Sequence, residues 1–468
     1  MASFSLLLCL LFSLFTPIFS QPQYPKGFLI DCGATSESPA NGGRWLPDSE
    51  FISSGTPQNI SLPGLLPPLS TVRTFPYTAA ATKFCYVVPV LRNRKYLIRT
   101  TYFYGRFDGR NSPPVFNQIV DGTVWSVVNT TEDYSQGLSS YYEGVFLAKG
   151  KTMSICVGRN KFTDSEMFIS ALELLLLGNS LYNSTDFGKY GLATIARHNF
   201  GYRGSILRFP EDHFDRFWGP FTDNNVATNA RENVSISGFW NLPPSTIFDT
   251  ALSTNQLEAI ELQWPPVSLP NSTYYIALYF AKTSESSSDA FSVSINGIKF
   301  YENLKPTPDG VVVFATQWPL SGLTKVTLTP AAGSNVGPMI NAGEIFDIVV
   351  LGRTTVTRDV IALEGFKKNL QNPPIDWNGD PCLPHGYSWT GITCSEGKLI
   401  RIVSLNLSSL GLSGTLSPSI ANLTALTDIF LQNNNLSGEV PSSLTTKPGL
   451  NLQTSGNRFS PGTATPPS

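Results

Sequence analysis

The residues best suited to chemistry are Glu211, Asp212 and Asp215, threaded with Arg208, His213, Arg216, Phe217 and Trp218. Two carboxylates facing each other across a cleft would hydrolyse a glycosidic bond. Acids and bases this closely mixed read instead as a salt-linked turn, because each charge has an opposite neighbour nearby. His198, His213 and His385 share no metal-ligand spacing, so neither a metal nor a cofactor is expected. No Gly-x-Ser-x-Gly elbow supports a nucleophile. A phosphate-cradling Gly-rich loop followed by Val-Ala-x-Lys is missing, as is His-Arg-Asp, and the reading is a protein that is not an enzyme.

The cysteines carry the second kind of chemistry. The run 5–15 is apolar and is followed by Pro17, Ser20 and Gln21, which reads as a secretory signal over residues 1–20. It is shorter than the roughly 20 residues a membrane span needs. Cys9 leaves with that signal, and Cys32, Cys85, Cys156, Cys382 and Cys394 stay. An odd number in an oxidising compartment leaves one thiol unpaired or paired between chains. Cys85 and Cys156 both fall in predicted strands and form a candidate pair, leaving Cys32 over. Cys382 and Cys394 flank Trp389, and no further ligands beside them suggest zinc. Eight sequons, at Asn59, Asn129, Asn183, Asn233, Asn271, Asn406, Asn422 and Asn435, agree with a secreted, glycosylated surface.

Short strands must position these groups. Charged residues make up 14% of 468, and 38 Gly with 35 Pro suit turn-rich β structure. The length predicts two to four domains, and a net charge of −2 points to no nucleic-acid partner. Phe291, Val293 and Ile295 alternate with Ser292, Ser294 and Asn296, the pattern of a half-buried strand. Asn296-Gly297 and Asp121-Gly122 then read as two-residue hairpin turns. Similar runs lie at 96–104, 123–128, 152–157, 274–280 and 325–329. The apolar run 168–177 is interrupted by Glu173 and reads as a buried strand.

The chain repeats itself twice over. Phe116 to Gly122, followed by Trp125, matches Phe291 to Gly297, followed by Phe300, at an offset of 175. Residues 167–178 match 341–352 at 174, and Tyr96 matches Tyr274 at 178. This predicts two antiparallel β-sandwiches, 24–178 and 190–352, joined near 183–190. Farther on, Leu407 to Gly414 and Leu431 to Gly438 align 24 positions apart, the leucine-rich repeat signature. Two clear repeats and a degenerate third are expected over 399–460, after a linker at 353–371 and a cap at 372–398, with a disordered tail at 461–468. The predicted fold is mainly β: tandem sandwiches followed by a short leucine-rich solenoid.

Several stretches together carry a family resemblance. They are Phe28-Leu-Ile-Asp-Cys-Gly33, Arg73-Thr-Phe-Pro-Tyr77, 208–218, Asn341-Ala-Gly-Glu-Ile-Phe346, Trp377-Asn-Gly-Asp-Pro-Cys382 and Trp389-Thr-Gly-Ile-Thr-Cys394. They resemble the tandem malectin-like ectodomains, with leucine-rich repeats, of plant receptor kinases and receptor-like proteins. The resemblance implies a Cys382–Cys394 disulfide capping the repeats. It also implies a ligand end near Tyr104, Arg106, Phe107, Tyr141 and Tyr142, with Asp164 as an acid, by likeness to the glycan site of animal malectin. Several plant relatives bind secreted peptides or wall pectin instead. The implied role is extracellular recognition of a cell-wall carbohydrate or secreted peptide, with a co-receptor kinase or membrane-anchored partner docked on the repeats. The alternative is a free-standing carbohydrate-binding or carbohydrate-modifying protein. Receptors of this kind continue into a membrane helix, and none is read here, so a truncated form or a secreted protein is expected.

Overall fold

The computed structural model describes residues 24–40, 42–77, 81–229, 234–254, 257–281 and 290–460. The expected signal, Asn233 and the tail 461–468 lie outside the described residues. In the first half, Gly27–Asp31, Ala171–Leu176, Lys95–Tyr102 and Ser140–Leu147 lie side by side in that order. A second sheet holds Lys83–Pro89, Thr152–Gly158, Phe116–Val120 and Thr123–Val128. The two pack as a sandwich, with Ile98, Phe146 and Leu172 meeting Phe84, Val120 and Ile155 in one core.

The second half repeats that strand order. Tyr190–Phe200, Ala342–Val350, Leu269–Phe280 and Val311–Gly322 form one layer. Ile260–Gln263, Lys325–Pro330, Phe291–Ile295 and Ile298–Leu304 form the other. Asp121-Gly122 and Asn296-Gly297 turn the matching hairpins with positive φ at all four residues, which glycine tolerates without strain.

The two halves share a sheet. Ser140–Leu147 pairs with Tyr190–Phe200 at Gly144↔Ala193 and Val145↔Leu192, so the inner layers fuse into one 11-stranded sheet. A Cβ on Gly144 would stand 2.7 Å from the Phe146 ring, and one on Gly191 would overlap the same ring. Small residues are therefore required where the halves join. The opposite face of the sheet carries a common core, in which Leu97, Val145 and Leu175 meet Leu192, Tyr275 and Phe346. Trp218, Phe239, Ile247 and Phe248 cover it. Each such side chain contributes roughly 1.5–3 kcal/mol by burial.

Residues 353–371 are not a plain linker. Thr357–Lys367 is an α-helix whose buried residues Asp359, Ala362, Leu363 and Phe366 fall on one face and join the core of the repeats. Beyond it, Ile402–Asn406, Asp428–Phe430 and Asn451–Gln453 form a parallel ladder. Asn434 ties successive turns, accepting from the backbone N–H of Leu410 and Leu412 and donating to the carbonyls of Leu407 and Leu431. The cap packs on the first half. The buried Lys83 Nζ donates to the carbonyls of Asp380 (2.7 Å) and Leu383 (2.6 Å), and Asn117 donates to the Tyr387 hydroxyl. Cys382–Cys394 closes the cap, Cys85–Cys156 bridges two adjacent strands, and Cys32 is a buried free thiol.

Candidate functional site

The shared sheet carries an ionic row that follows from its register. Arg99 sits directly opposite Glu143 on one neighbouring strand and Glu173 on the other. It donates to Glu143 Oε2 (2.8 Å) and Glu173 Oε2 (2.8 Å). In the second half Arg197 lies opposite Glu344 and donates to it (2.8 Å), and it also reaches Glu143 Oε1 (2.5 Å) across the joint. The segment 208–218 closes over this row. Asp215, held at φ 54, accepts from Arg99 Nη1 (3.1 Å) and from Arg208 through both carboxylate oxygens (2.9 and 2.7 Å). Asp212 pairs with Arg216 (2.9 Å) and accepts from the Trp218 indole (2.7 Å). Asp212 and Asp215 thus belong to a salt-linked cover, buried against the sheet rather than exposed as a catalytic pair, while Glu211 is exposed.

Burial and charge act differently on these acids. Burial pushes Glu143 up, but Arg197 and Arg99 outweigh it and hold the carboxyl below its usual range. Burial likewise pushes Asp215 up, and Arg99 and Arg208 reverse it. Glu173 ends above its usual value, because burial, aided by the charge of Asp215, exceeds the pull of Arg99.

A cavity of about 130 Å³ opens beside Glu173. Trp45, Leu66, Leu69, Tyr141 and Phe217 form its walls, with Arg208 at its edge. Its volume suits one side chain or one ring rather than a drug-sized ligand of roughly 300–1,000 Å³. Tyr141 is 44% exposed and meets Phe217 edge-on at 5.1 Å. The Arg99 guanidinium lies 3.5 Å from the centre of the Phe217 ring and that of Arg208 4.6 Å. A larger hollow of about 570 Å³ lies at the seam with the cap. There, Asp380 is committed to Thr355 and to the backbone of Cys382 and Leu383, and Lys367 to Asn378.

Of the six residues of the expected ligand end, Tyr141 alone lines the smaller cavity, together with Arg208 and Phe217 of the acidic stretch and Glu173 of the apolar run. Tyr104, expected at the ligand end, is 2% exposed and packs edge-on against Phe107 and Tyr134, its hydroxyl donating to Asp108. Tyr104 lies two residues beyond the end of Lys95–Tyr102, where Tyr102, Phe103 and Tyr104 are all buried, so the chain leaves the strand through the core rather than at the surface. Phe107 is half-buried against Phe168, while Arg106 and Asp164 are exposed. Arg110 links that loop to the Asp164 carbonyl. The Tyr142 hydroxyl is engaged by the backbone of Asn129. His198 is half-buried in a strand, accepts from the Trp264 indole, and is pushed down to about 4 by burial. Asp186-Phe187-Gly188 spells a kinase-like triplet, but Asp186 pairs with Lys189 at the surface and Phe187 packs in the core. The seven described sequon asparagines are all exposed. Sequence reading took Glu173 only as an interruption of a buried strand and did not mark Arg99 as a site residue. The signal was a single acid inside an apolar strand.

The comparisons agree with this architecture. The malectin-like domain family model matches residues 30–348, and the leucine-rich repeat N-terminal domain model matches 356–395. A leucine-rich repeat receptor-like serine/threonine-protein kinase of Arabidopsis thaliana is 32% identical over 445 residues, which is 90% of this chain and 50% of that one. A putative kinase of the same description and organism is 31% identical over 443 residues, 90% and 48%. The chain spans about half the length of these curated relatives. The ANX2 ectodomain of Arabidopsis thaliana shares the fold at a TM-score of 0.58 and 17% identity, covering 70% of this chain and 97% of that one. A complex of the plant peptide RALF23 with FER and LLG2 contains a chain that matches at 0.56 and 15%, covering 69% and 96%. Among the described residues, no helix is long and apolar enough to cross a membrane.

Proposed function

That the chain belongs to the malectin-like domain family is the premise from which we propose its role: non-catalytic recognition outside the cell, in the receptor-like class. A secreted peptide or a cell-wall carbohydrate enters the cavity between the first sandwich and the covering segment 208–217. A co-receptor kinase or membrane-anchored partner docks on the repeats. The observation that carries this reading is the cavity itself, lined by the exposed Tyr141 and the buried Glu173. The peptide option draws support from a structural neighbour solved with RALF23 and LLG2. The sequons at exposed Asn59, Asn129, Asn183, Asn271, Asn406, Asn422 and Asn435 suit a secreted or cell-surface protein.

The test offers the purified protein a panel of wall oligosaccharides and a set of secreted plant peptides. Saturable binding without consumption, weakened by Tyr141→Ala, is expected. Turnover of an oligosaccharide that survives removal of the repeats would overturn the reading in favour of a carbohydrate-modifying protein.

A further inference from the structure

The ionic cluster beside the cavity is unbalanced. Among the described residues, Arg99, Arg197 and Arg208 form its connected ion pairs with Glu143, Glu173, Asp215 and Glu344, so one negative charge is in surplus. Hydrogen bonding identifies which acid bears it. Both oxygens of Glu143 accept from arginine, and both of Asp215 do the same. Glu344 accepts from Arg197, Tyr182 and Tyr279. Glu173 is 3% exposed, and Arg99 is its one donor among the described residues, on Oε2. Its other oxygen, Oε1, is left for the cavity that Glu173 lines. A carboxylate this deep needs either a proton or a counter-charge.

Resting on the reading that this cavity takes ligand, we propose that it receives a cationic side chain, the guanidinium or ammonium of an arginine or lysine in a secreted peptide. The head group meets Glu173 Oε1 and the ring of Tyr141, and the stem lies along Leu66, Leu69 and Trp45. The two arginines nearby do not oppose this. Arg208 is held through both oxygens of Asp215, and Arg99 is shared among three carboxylates. The groups facing Glu173 are Arg99 and Glu143 in the sheet, Arg208 and Asp215 in the cover, Tyr24 before the first strand, and Tyr141. Of these acids, Glu173 alone is pushed upward, so binding weakens as acid protonates it.

The test titrates the full chain with Nα-acetyl-arginine methylamide, its neutral isostere Nα-acetyl-citrulline methylamide, and putrescine, read by ligand-observed NMR. The arginine probe is expected to bind at least about tenfold more tightly than the citrulline probe. Glu173→Gln, which keeps the acceptor for Arg99, is expected to abolish that preference, and Tyr141→Ala to weaken binding in a protein that still folds. Equal binding of arginine and citrulline probes, or an arginine preference that survives Glu173→Gln, overturns the proposal. Tighter binding of putrescine than of the arginine probe overturns the peptide source and assigns the cavity to free amines. If a wall oligosaccharide binds in a Tyr141-dependent way while the arginine probe does not, the cation proposal fails and the cavity reading stands. If nothing that binds responds to Tyr141→Ala, both fail.

Discussion

Each half of the shared sheet carries a register row with an arginine beside a glutamate, and the two rows are filled differently. In the first half the row reads Leu29, Glu173, Arg99, Glu143, and in the second Arg197, Glu344, Ala277, Phe314. The strand order is the same, but the arginine stands on the third strand of the first half and on the first strand of the second, and an acid has become phenylalanine. In the second half the single acid is closed, since Glu344 Oε2 takes Arg197 (2.8 Å) and Tyr182 (2.7 Å) and Oε1 takes Tyr279 (2.6 Å). In the first half one arginine serves Glu143, Glu173 and Asp215, and Glu173 keeps an open oxygen at a cavity. Copying a sandwich preserves its backbone pairing. Where the counter-charge stands decides which copy has an acid left to offer.

Removing the arginine of the first half should break the comparison hardest. Arg99→Met leaves three buried carboxylates without their common partner and should cost roughly 3–5 kcal/mol in urea unfolding. A loss below about 1 kcal/mol would mean that the cluster is solvated. The halves also differ in that the first carries the repeat cap. Cys382→Ser opens the twelve-residue loop that closes the cap and should lower stability of the repeats by about 3 kcal/mol while sparing the sandwiches. Limited proteolysis followed by mass spectrometry would locate the loosened part, and cleavage starting in the sandwiches would contradict the assignment. Tyr279→Phe should make the second half resemble the first by freeing Glu344 Oε1, at a cost of about 1–3 kcal/mol. Unchanged stability would show that Glu344 does not depend on that hydroxyl.

Much of the architecture was legible because it is local or periodic. Leu407 and Leu431, the hairpins at Asp121 and Asn296, and the alternation through Phe291 to Ile295 each declare themselves within a few residues. The fused sheet was not legible, because Gly144↔Ala193 and Val145↔Leu192 rest on backbone pairing between distant residues with no side-chain signature. The helix at Thr357–Lys367 had a signal in the spacing of Asp359, Ala362, Leu363 and Phe366, hidden beneath a linker reading. The cap's seat on the first half depends on Lys83, a lysine in a strand like many others until its carbonyl partners 297 and 300 residues away are known. At the site, Tyr141 was chosen as an aromatic and Tyr104 was chosen on the same grounds. Sequence type alone cannot separate an exposed ring from a buried one. Glu173 was noticed only as an interruption of an apolar run, and the register that sets it against Arg99 made it a candidate.

The smallest expected effect bears most directly on the surplus charge. Glu173 binds its proton more tightly folded than unfolded, so its stabilising contribution is complete below the unfolded value near 4.3 and is lost as pH rises through the folded value. Glu143 is depressed, so its contribution is present above about 4.3 and is lost as pH falls. Unfolding free energies of the wild type, Glu173→Gln and Glu143→Gln, measured from pH 4 to pH 8, compare the two acids in one experiment. The expected result is that Glu173→Gln gains on the wild type as pH rises, by roughly 1 kcal/mol at the alkaline end, while Glu143→Gln falls behind over the same range. Parallel curves for the two variants would contradict the claim that Glu173 bears the surplus charge of the cluster.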